Sequence, residues 1–390
     1  MARLGGLTAI RAVLSLHIVL GHYPFAPADP AGGSLAAAYW RWALNGYSYV
    51  SLFFIISGFV NVLVDLERPP PPGAAASASK VWRRVARLWP QFAIMWVLVV
   101  LESGWRTSGE FWPEFGVWSN AVLLSLSHAW FPDVGLKVEA FNGPTWSVSA
   151  VLAFHIIWEL LPFLSLLRRR PLSLQDATIM SLLLYVWGLL LGLAFNKVIG
   201  HNSPLKTWPP FRFHQYLMGA VAASAFQRYS KQRSPTLDAL APAAVGACLC
   251  AITCVHLSLQ AHARDPLYPF IILGLLDPLH VIIVFGLACT SSAPPRPRTH
   301  TLEALGVPVR ALCASKLVAQ LGEISYAIYL WHVPLHRVAV GPEPAAEAGL
   351  MRALRFFALL LAWCYFVTHY LEPPARALFM RLDPFGGGGE

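Results

Sequence analysis

The sequence predicts an all-α, polytopic membrane protein with about ten transmembrane helices and cytoplasmic N- and C-termini. Three observations carry this prediction. Hydrophobic residues make up 56% of the 390 and charged residues only 13%, against about 25% charged in soluble proteins. Mean hydropathy is +0.53. Apolar runs recur along the whole length, and no long polar stretch offers a separate soluble domain. In hydrocarbon the backbone must satisfy its own hydrogen bonds, so such runs read as helices.

The expected spans are Leu4–His22, Ser48–Leu66, Leu88–Leu101, Trp146–Leu167, Ala177–Phe195, Phe213–Phe226, Leu240–Leu257, Leu267–Cys289, Leu317–Val338 and Gly349–Leu371. A further segment, Gly116–Trp130, is short and carries Trp118, Asn120 and His128. Charge decides whether it crosses. If it does not, about 18 Lys and Arg fall in cytoplasmic loops and about 7 in the opposite loops, Arg212 among them. Arg337, Arg352 and Arg355 near outer span ends raise the smaller side to about 10. Counting the short segment as a span would reverse the later basic loops, so ten spans with both ends inside is the expectation.

The same distribution explains the net charge of +9. Basic residues collect in alternate loops, as membrane insertion requires, so the lipid bilayer is the expected partner and nucleic acid is not. Cys248, Cys250, Cys254, Cys289, Cys313 and Cys364 fall mostly within apolar segments without paired ligand spacing. They read as small apolar fillers, with neither a disulfide framework nor a metal site. Pro69–Lys80, Ser291–Thr301 and Gly386–Gly389 read as linkers or tail. Arg11 and Ser15 interrupt the apolar core of a cleaved signal, so the first span is expected to be retained. The division is thus residues 1–375, a transmembrane domain, and residues 376–390, a short cytoplasmic tail.

Within the first span, Arg11 and His22 are eleven residues apart. At about 100° per residue that is close to three turns, which puts both on one face roughly 16 Å apart along the axis. Such groups in a spanning helix mark a pathway or a reaction site. Their bland alternative is an Arg snorkelling to one interface and a His at the other. Arg83 and Arg87 share a helix face four residues apart, beside Arg84. Tyr326, Tyr329 and His332 recur at intervals of three and form one stripe, polar enough to suggest a cavity.

Six segments taken in order resemble the acyltransferase-3 family of integral membrane O-acyltransferases. Arg11 and His22 match its first-helix Arg-x10-His. Ser51-Leu52-Phe53-Phe54-Ile55-Ile56-Ser57-Gly58-Phe59 is similar to its Phe-Phe-x-x-Ser-Gly-Phe. Arg83-Arg84-Val85-Ala86-Arg87-Leu88-Trp89-Pro90 resembles the basic turn before its third helix. Phe141-Asn142-Gly143-Pro144-Thr145-Trp146-Ser147-Val148-Ser149 is similar to Asn-x-x-x-Trp-Ser-x-Ser. Ser325-Tyr326-Ala327-Ile328-Tyr329-Leu330-Trp331-His332 resembles Ser-Tyr-x-x-Tyr-Leu-x-His, and Glu372-Pro373-Pro374 its Glu-x-Pro ending. One departure stands out: the glutamate that often follows Trp-Ser-x-Ser is Val151 here. Glu159, two turns further on, reads as a lone carboxylate near a helix end.

The resemblance implies transfer of an acyl group, acetyl before others, from acyl-CoA to a hydroxyl of a carbohydrate or other membrane-associated acceptor. Acyl-CoA is then a donor substrate, with no tightly bound cofactor. Such transfer needs a base for the hydroxyl proton and donors for the developing oxyanion. His22 is the expected base or transient acyl acceptor, and Arg11 the contact to the donor or its carbonyl. Arg83, Arg84 and Arg87 suit the phosphates of coenzyme A, since guanidinium forks match phosphate geometry. Their alternative is a topology signal on anionic lipid heads. Ser57, Trp146, Ser149, Tyr326, Tyr329 and His332 are the remaining candidates for substrate contact, with helix packing an equal reading for Ser57-Gly58. His17, His155, His214 and His280 match no motif and read as packing or interfacial histidines. Some relatives carry an added esterase-like domain; here transfer is expected to finish in the membrane domain or on a separate acceptor-side partner protein. A proton-coupled carrier using Asp277, and a degenerate relative that only binds acyl-CoA, are the competing readings.

Overall fold

The computed structural model describes residues 4–23, 35–69, 73–106, 117–131, 142–161, 164, 171–194, 207–259, 267–292, 306–340 and 349–385. Among them the regular elements are all helical, and the protein is an integral, multi-pass membrane protein. Two compact units arise from interleaved stretches. The first comprises Met1–Pro69, Phe163–Lys206 and Pro210–Ser325; the second, Pro70–Pro162, Thr207–Pro209 and Tyr326–Glu390.

The first unit begins with α1 (Gly5–His22) and α2 (Leu35–Leu44), which passes through the 3-10 turn Asn45–Ser48 into α3 (Tyr49–Glu67). Its later helices include α7 (Leu174–Ala194), α8 (Pro209–Lys231), α9 (Pro235–Ser258) and α10 (Asp277–Ser292), with the short α11 (Val307–Ala314) and α12 (Lys316–Glu323). The second unit holds α4 (Ala74–Arg106), the short α5 (Val117–Leu124), α6 (Trp146–Leu160), α13 (Ser325–Val340), α14 (Gly349–Phe366) and α15 (Glu372–Arg381).

Six stretches are long and apolar enough to cross a bilayer: Gly5–His22, Ala37–Glu67, Ala74–Leu101, Leu174–Ala194, Pro235–Ser258 and Met351–Arg381. The others differ from the expected spans in ways the backbone explains. The segment Leu267–Cys289 is broken: a π turn at Ile271–Leu275 contains Gly274 at φ 148°, and α10 restarts at Asp277. That backbone region favours glycine because no Cβ clashes there. The segment Leu317–Val338 is likewise two helices, parted at Ile324. The last segment continues through a π turn, Val367–Leu371, into α15. Gly116–Trp130 yields only an eight-residue helix and a 3-10 turn, about 12 Å of helix and too short to cross.

Two linker assignments need correction or fall elsewhere. Pro69–Lys80 is helical from Ala74, where an Ala/Ser run of good helix formers starts α4. Residues 293–301 and 386–390 lie outside the described residues.

Hydrocarbon surrounds these helices as it does any apolar side chain, so close packing rather than water exclusion holds them together. The tightest approach joins α3 and α8. A Cβ added to Gly58 would meet the Tyr216 carbonyl, and one added to Gly219 would meet the Ile55 carbonyl. The Ser-Gly-Phe segment is therefore a packing seam at Gly58. Elsewhere in this unit the Gly6 amide donates to Ser291 Oγ at 2.7 Å, joining α1 to α10.

Candidate functional site

Arg11 and His22 stand on one continuous helix, α1, as their spacing requires. Arg11 is half-buried. His22 is the last residue of the helix, and its Nδ1 donates to the Ile18 carbonyl at 2.8 Å. A carbonyl can only accept, so this bond leaves Nε2 with the lone pair in the neutral ring. That is the state a general base needs. The Tyr23 ring lies 6.4 Å from it, centroid to centroid.

The second unit brings four of the resembling segments together. Ser147 Oγ meets Tyr329 Oη at 2.7 Å, and both hydroxyls reach the Pro144 carbonyl. Asn142 donates to the Leu330 carbonyl at 2.9 Å, so the loop before α6 is tied to α13. Ser149 Oγ accepts from the Ala129 amide at 3.1 Å. Trp146, the first residue of α6, is half-buried. His332 is fully buried and its Nδ1 donates to the Tyr329 carbonyl at 2.8 Å. Tyr326 donates to the Leu88 carbonyl at 2.9 Å. The Tyr326, Tyr329 and His332 stripe therefore faces other helices. Tyr326 and Tyr329 bond to neighbouring elements and His332 to its own helix, which is the work of a helix seam.

The basic cluster does not sit in a turn. Arg83, Arg84 and Arg87 lie within α4, which runs on past Pro90. Arg83 and Arg87 are exposed and Arg84 is half-buried. Arg83 donates to Ser79 Oγ at 3.0 Å, and Ser79 donates to Asp383 at 2.6 Å. Trp82 reaches the Phe379 carbonyl at 2.8 Å, and Gln91 donates to Glu372. The Glu-x-Pro ending thus docks α15 on the same helix as the basic cluster. Glu159 is not a lone carboxylate: Lys80 pairs with it at 2.7 Å. Burial of this pair leaves neither charge uncompensated.

Ser57 is half-buried on α3, one residue before the Gly58 seam. The neighbouring Ser51 and Phe54 carry a contact that the sequence does not reveal. Arg212, counted among outer-loop charges, is in fact buried in α8 at 2% exposure. Its guanidinium lies 5.4 Å from the Phe54 ring, donates to Ser51 Oγ at 3.1 Å, and reaches the Ile272 carbonyl.

Four histidines set aside as packing residues prove more specific. His214 Nε2 and His280 Nδ1 approach opposite oxygens of Asp277, at 3.5 and 3.4 Å, with all three side chains buried. Gln215 donates to the same carboxylate at 3.1 Å. His17 donates from Nε2 to the Trp42 carbonyl at 2.8 Å. Its ring contacts Trp42, Tyr49 and His256, and His256 meets Ser48 Oγ at 2.8 Å. His155 is buried on α6, in electrostatic reach of Arg84, Lys80 and Arg87. The i, i+3 spacing of Asp277 and His280 was a signal for this cluster; the pairing with His214, 63 residues away, left none. Among the described residues no group of three or more His, Cys, Asp or Glu is arranged to hold a metal ion.

The family model described as "Acyltransferase domain" matches residues 4–369. The chain is 24% identical over 392 residues to the "Putative peptidoglycan O-acetyltransferase YrhL" of Bacillus subtilis (strain 168), covering 96% of this chain and 55% of that protein. It is 23% identical over 347 residues to the "Peptidoglycan O-acetyltransferase OatA" of Listeria monocytogenes serovar 1/2a, covering 86% and 52%. The chain spans about half the length of these curated relatives. No solved structure gives a significant match. With its opening Arg/His helix and its α6–α13 seam inside the matched range, the chain belongs to the acyltransferase-3 family.

Proposed function

We propose that this protein is a membrane O-acyltransferase moving an acyl group, acetyl before others, from cytoplasmic acyl-CoA to a hydroxyl at the opposite face. The single observation that carries this reading is the state of His22. Its Nδ1 is committed to the Ile18 carbonyl, so Nε2 is the basic atom, three turns along α1 from the Arg11 guanidinium. Attack by the acceptor hydroxyl on the thioester carbonyl forms a C–O bond and breaks the C–S bond. The hydroxyl proton passes to His22 Nε2 and on to the departing thiolate. Arg11 offers positive charge to the developing oxyanion or to the donor, worth most where water is excluded.

Arg83, Arg84 and Arg87 supply the phosphate-binding surface for coenzyme A. Arg83 and Arg87 are exposed on one face of α4, as an incoming polyanion requires. A carbohydrate acceptor is supported by the two relatives, each of which is named for O-acetylation of peptidoglycan. The acceptor-side partner protein remains part of this proposal, because the relatives extend well beyond the matched region. The test is release of free thiol from acetyl-CoA by the purified chain in lipid nanodiscs. Release that depends on His22 supports the enzyme; a carrier or a mere acyl-CoA binder consumes no thioester.

A further inference from the structure

Beside the basic cluster of α4 stands a cation that none of the six resembling segments includes, Arg376 of α15. The two helices run antiparallel in the second unit. Glu372 accepts from Gln91, the Phe379 ring stacks on Trp82 and contacts Trp89, and Asp383 accepts from Ser79. One turn after Glu372 comes Arg376, and one turn before Gln91 comes Arg87. Because the chain directions oppose, both guanidiniums fall on the same side of the Gln91–Glu372 bond, each about 6 Å along its helix axis from it. Tyr326 is in electrostatic reach of both Arg87 and Glu372, which places Arg87 at this end of the contact.

Arg87 and Arg376 are both exposed, and neither has a hydrogen-bond or ion-pair partner among the described residues. Glu372 stands at the i, i+4 spacing that would pair with Arg376, but it is turned to Gln91. The other carboxylates along this face are also engaged, Glu159 by Lys80 and Asp383 by Ser79. Cations therefore outnumber acids here: Lys80, Arg83, Arg84, Arg87 and Arg376 stand against Glu159, Glu372 and Asp383. Such a concentration of one sign draws the opposite charge. A cavity of about 390 Å³ opens beside Glu372 and Arg376, lined also by Thr368, Ala377 and Met380. That volume suits a small-molecule pocket, roughly 300–1,000 Å³. The Thr368 hydroxyl oxygen is buried without a partner among the described residues. It belongs to the π turn Val367–Leu371 that joins α14 to α15, and π turns recur at functional sites.

We infer that Arg376 and Arg87 are the two sides of a phosphate clamp for the donor, with the Thr368 hydroxyl as a further hydrogen-bond donor in the adjoining cavity. The inference rests on the reading above of acyl-CoA as donor, and adds to it a binding wall from the last helix. Coenzyme A carries a pyrophosphate and a 3′-phosphate. Arg83, Arg84 and Arg87 lie on one helix and offer a phosphate only one wall, whereas forks from two helices can hold it from both sides. Arg376 is thus a substrate-binding residue with no part in bond making. Anionic lipid head groups present the same phosphate chemistry, and the lipid composition of the test separates them from the donor.

The experiment measures coenzyme A affinity and acetyl-CoA turnover for the full chain in nanodiscs of phosphatidylcholine, then repeats both with phosphatidylglycerol added. Arg376→Glu should weaken coenzyme A binding about tenfold or more at low salt and less at high salt. It should raise KM for acetyl-CoA and leave kcat nearly unchanged, a split that general loss of folding would not give. Arg376→Lys keeps the charge without the fork and should lose a smaller part. Arg381→Glu makes the same charge change on the far side of α15, at an exposed position, and should stay within about twofold of wild type. Thr368→Val should weaken binding severalfold. Unchanged affinity in Arg376→Glu would overturn the inference, as would equal losses in Arg376→Glu and Arg381→Glu, which belong to a general field. An Arg376→Glu effect confined to discs with phosphatidylglycerol would also overturn it and assign the pair to lipid. Absence of coenzyme A binding by wild-type protein would instead overturn the reading of acyl-CoA as donor.

Discussion

Tyr329 on α13 and Ser147 on α6 meet hydroxyl to hydroxyl at 2.7 Å, and both reach the carbonyl of Pro144. Two sequence segments 182 residues apart are thereby parts of one seam. Their residue types are explained by this junction: a Tyr and a Ser each supply a hydroxyl to the Pro144 carbonyl, which also accepts from the Trp146 amide at the end of the 3-10 turn Gly143–Thr145. In a low-dielectric interior such a bond is costly to leave half made.

Tyr329→Phe should therefore destabilise the protein by about 1–3 kcal/mol, since the Pro144 carbonyl loses a buried partner. Thermal unfolding in nanodiscs measures the loss. Adding Ser147→Ala should cost less than the sum of the two single changes, because both act on one network.

The α3–α8 seam makes a second prediction. Gly58→Ala places a methyl group against the backbone of Tyr216, where no side chain can yield. We expect destabilisation of about 1–3 kcal/mol or more, and Ser57→Ala, on a half-buried neighbour, should cost far less. If Ser57 contacts substrate, Ser57→Ala will instead change turnover at unchanged stability.

Much of this was legible in the sequence. The all-helical class follows from apolar run length alone, and α1 and α3 match their expected bounds within a residue or so. The continuity of the segments at Leu267–Cys289 and Leu317–Val338 was misjudged. Hydropathy averages over a break, and one glycine at φ 148° changes no average. Arg212 was misjudged for the opposite reason: a charge near a span end reads as a loop residue until its buried partners are seen. The placement of Arg11 and His22 on one helix could be read from that helix's periodicity. The Asp277 cluster could not, because it depends on which helices become neighbours.

Topology gives a third prediction. A cysteine introduced at Ala74, beside the basic start of α4, should be labelled only from the cytoplasmic face, and one at Pro344 only from the other. Labelling of both from one face would contradict the ten-span arrangement.

Reversal of Arg83, Arg84 and Arg87 together to Glu should weaken acetyl-CoA binding, most clearly at low salt, where exposed charges are least screened. Loss of the Arg83–Ser79 bond adds little, because the Arg83 side chain is exposed and its partner Ser79 keeps its bond to Asp383. Unchanged affinity in correctly inserted protein would return the cluster to a topology role.

The central claim is that His22 is the base, and thiol release from acetyl-CoA by the purified chain tests it most directly. Wild-type protein should release thiol at a rate that falls on acidification, because a protonated imidazole cannot accept the hydroxyl proton. His22→Ala should lower that rate by about a hundredfold or more while leaving donor binding and unfolding temperature nearly unchanged. Arg11→Lys keeps the charge but loses the planar fork, and should also fall substantially. His17→Ala, by contrast, should act on stability, since His17 is packed among Trp42, Tyr49 and His256. Near-normal thiol release by His22→Ala would contradict the account.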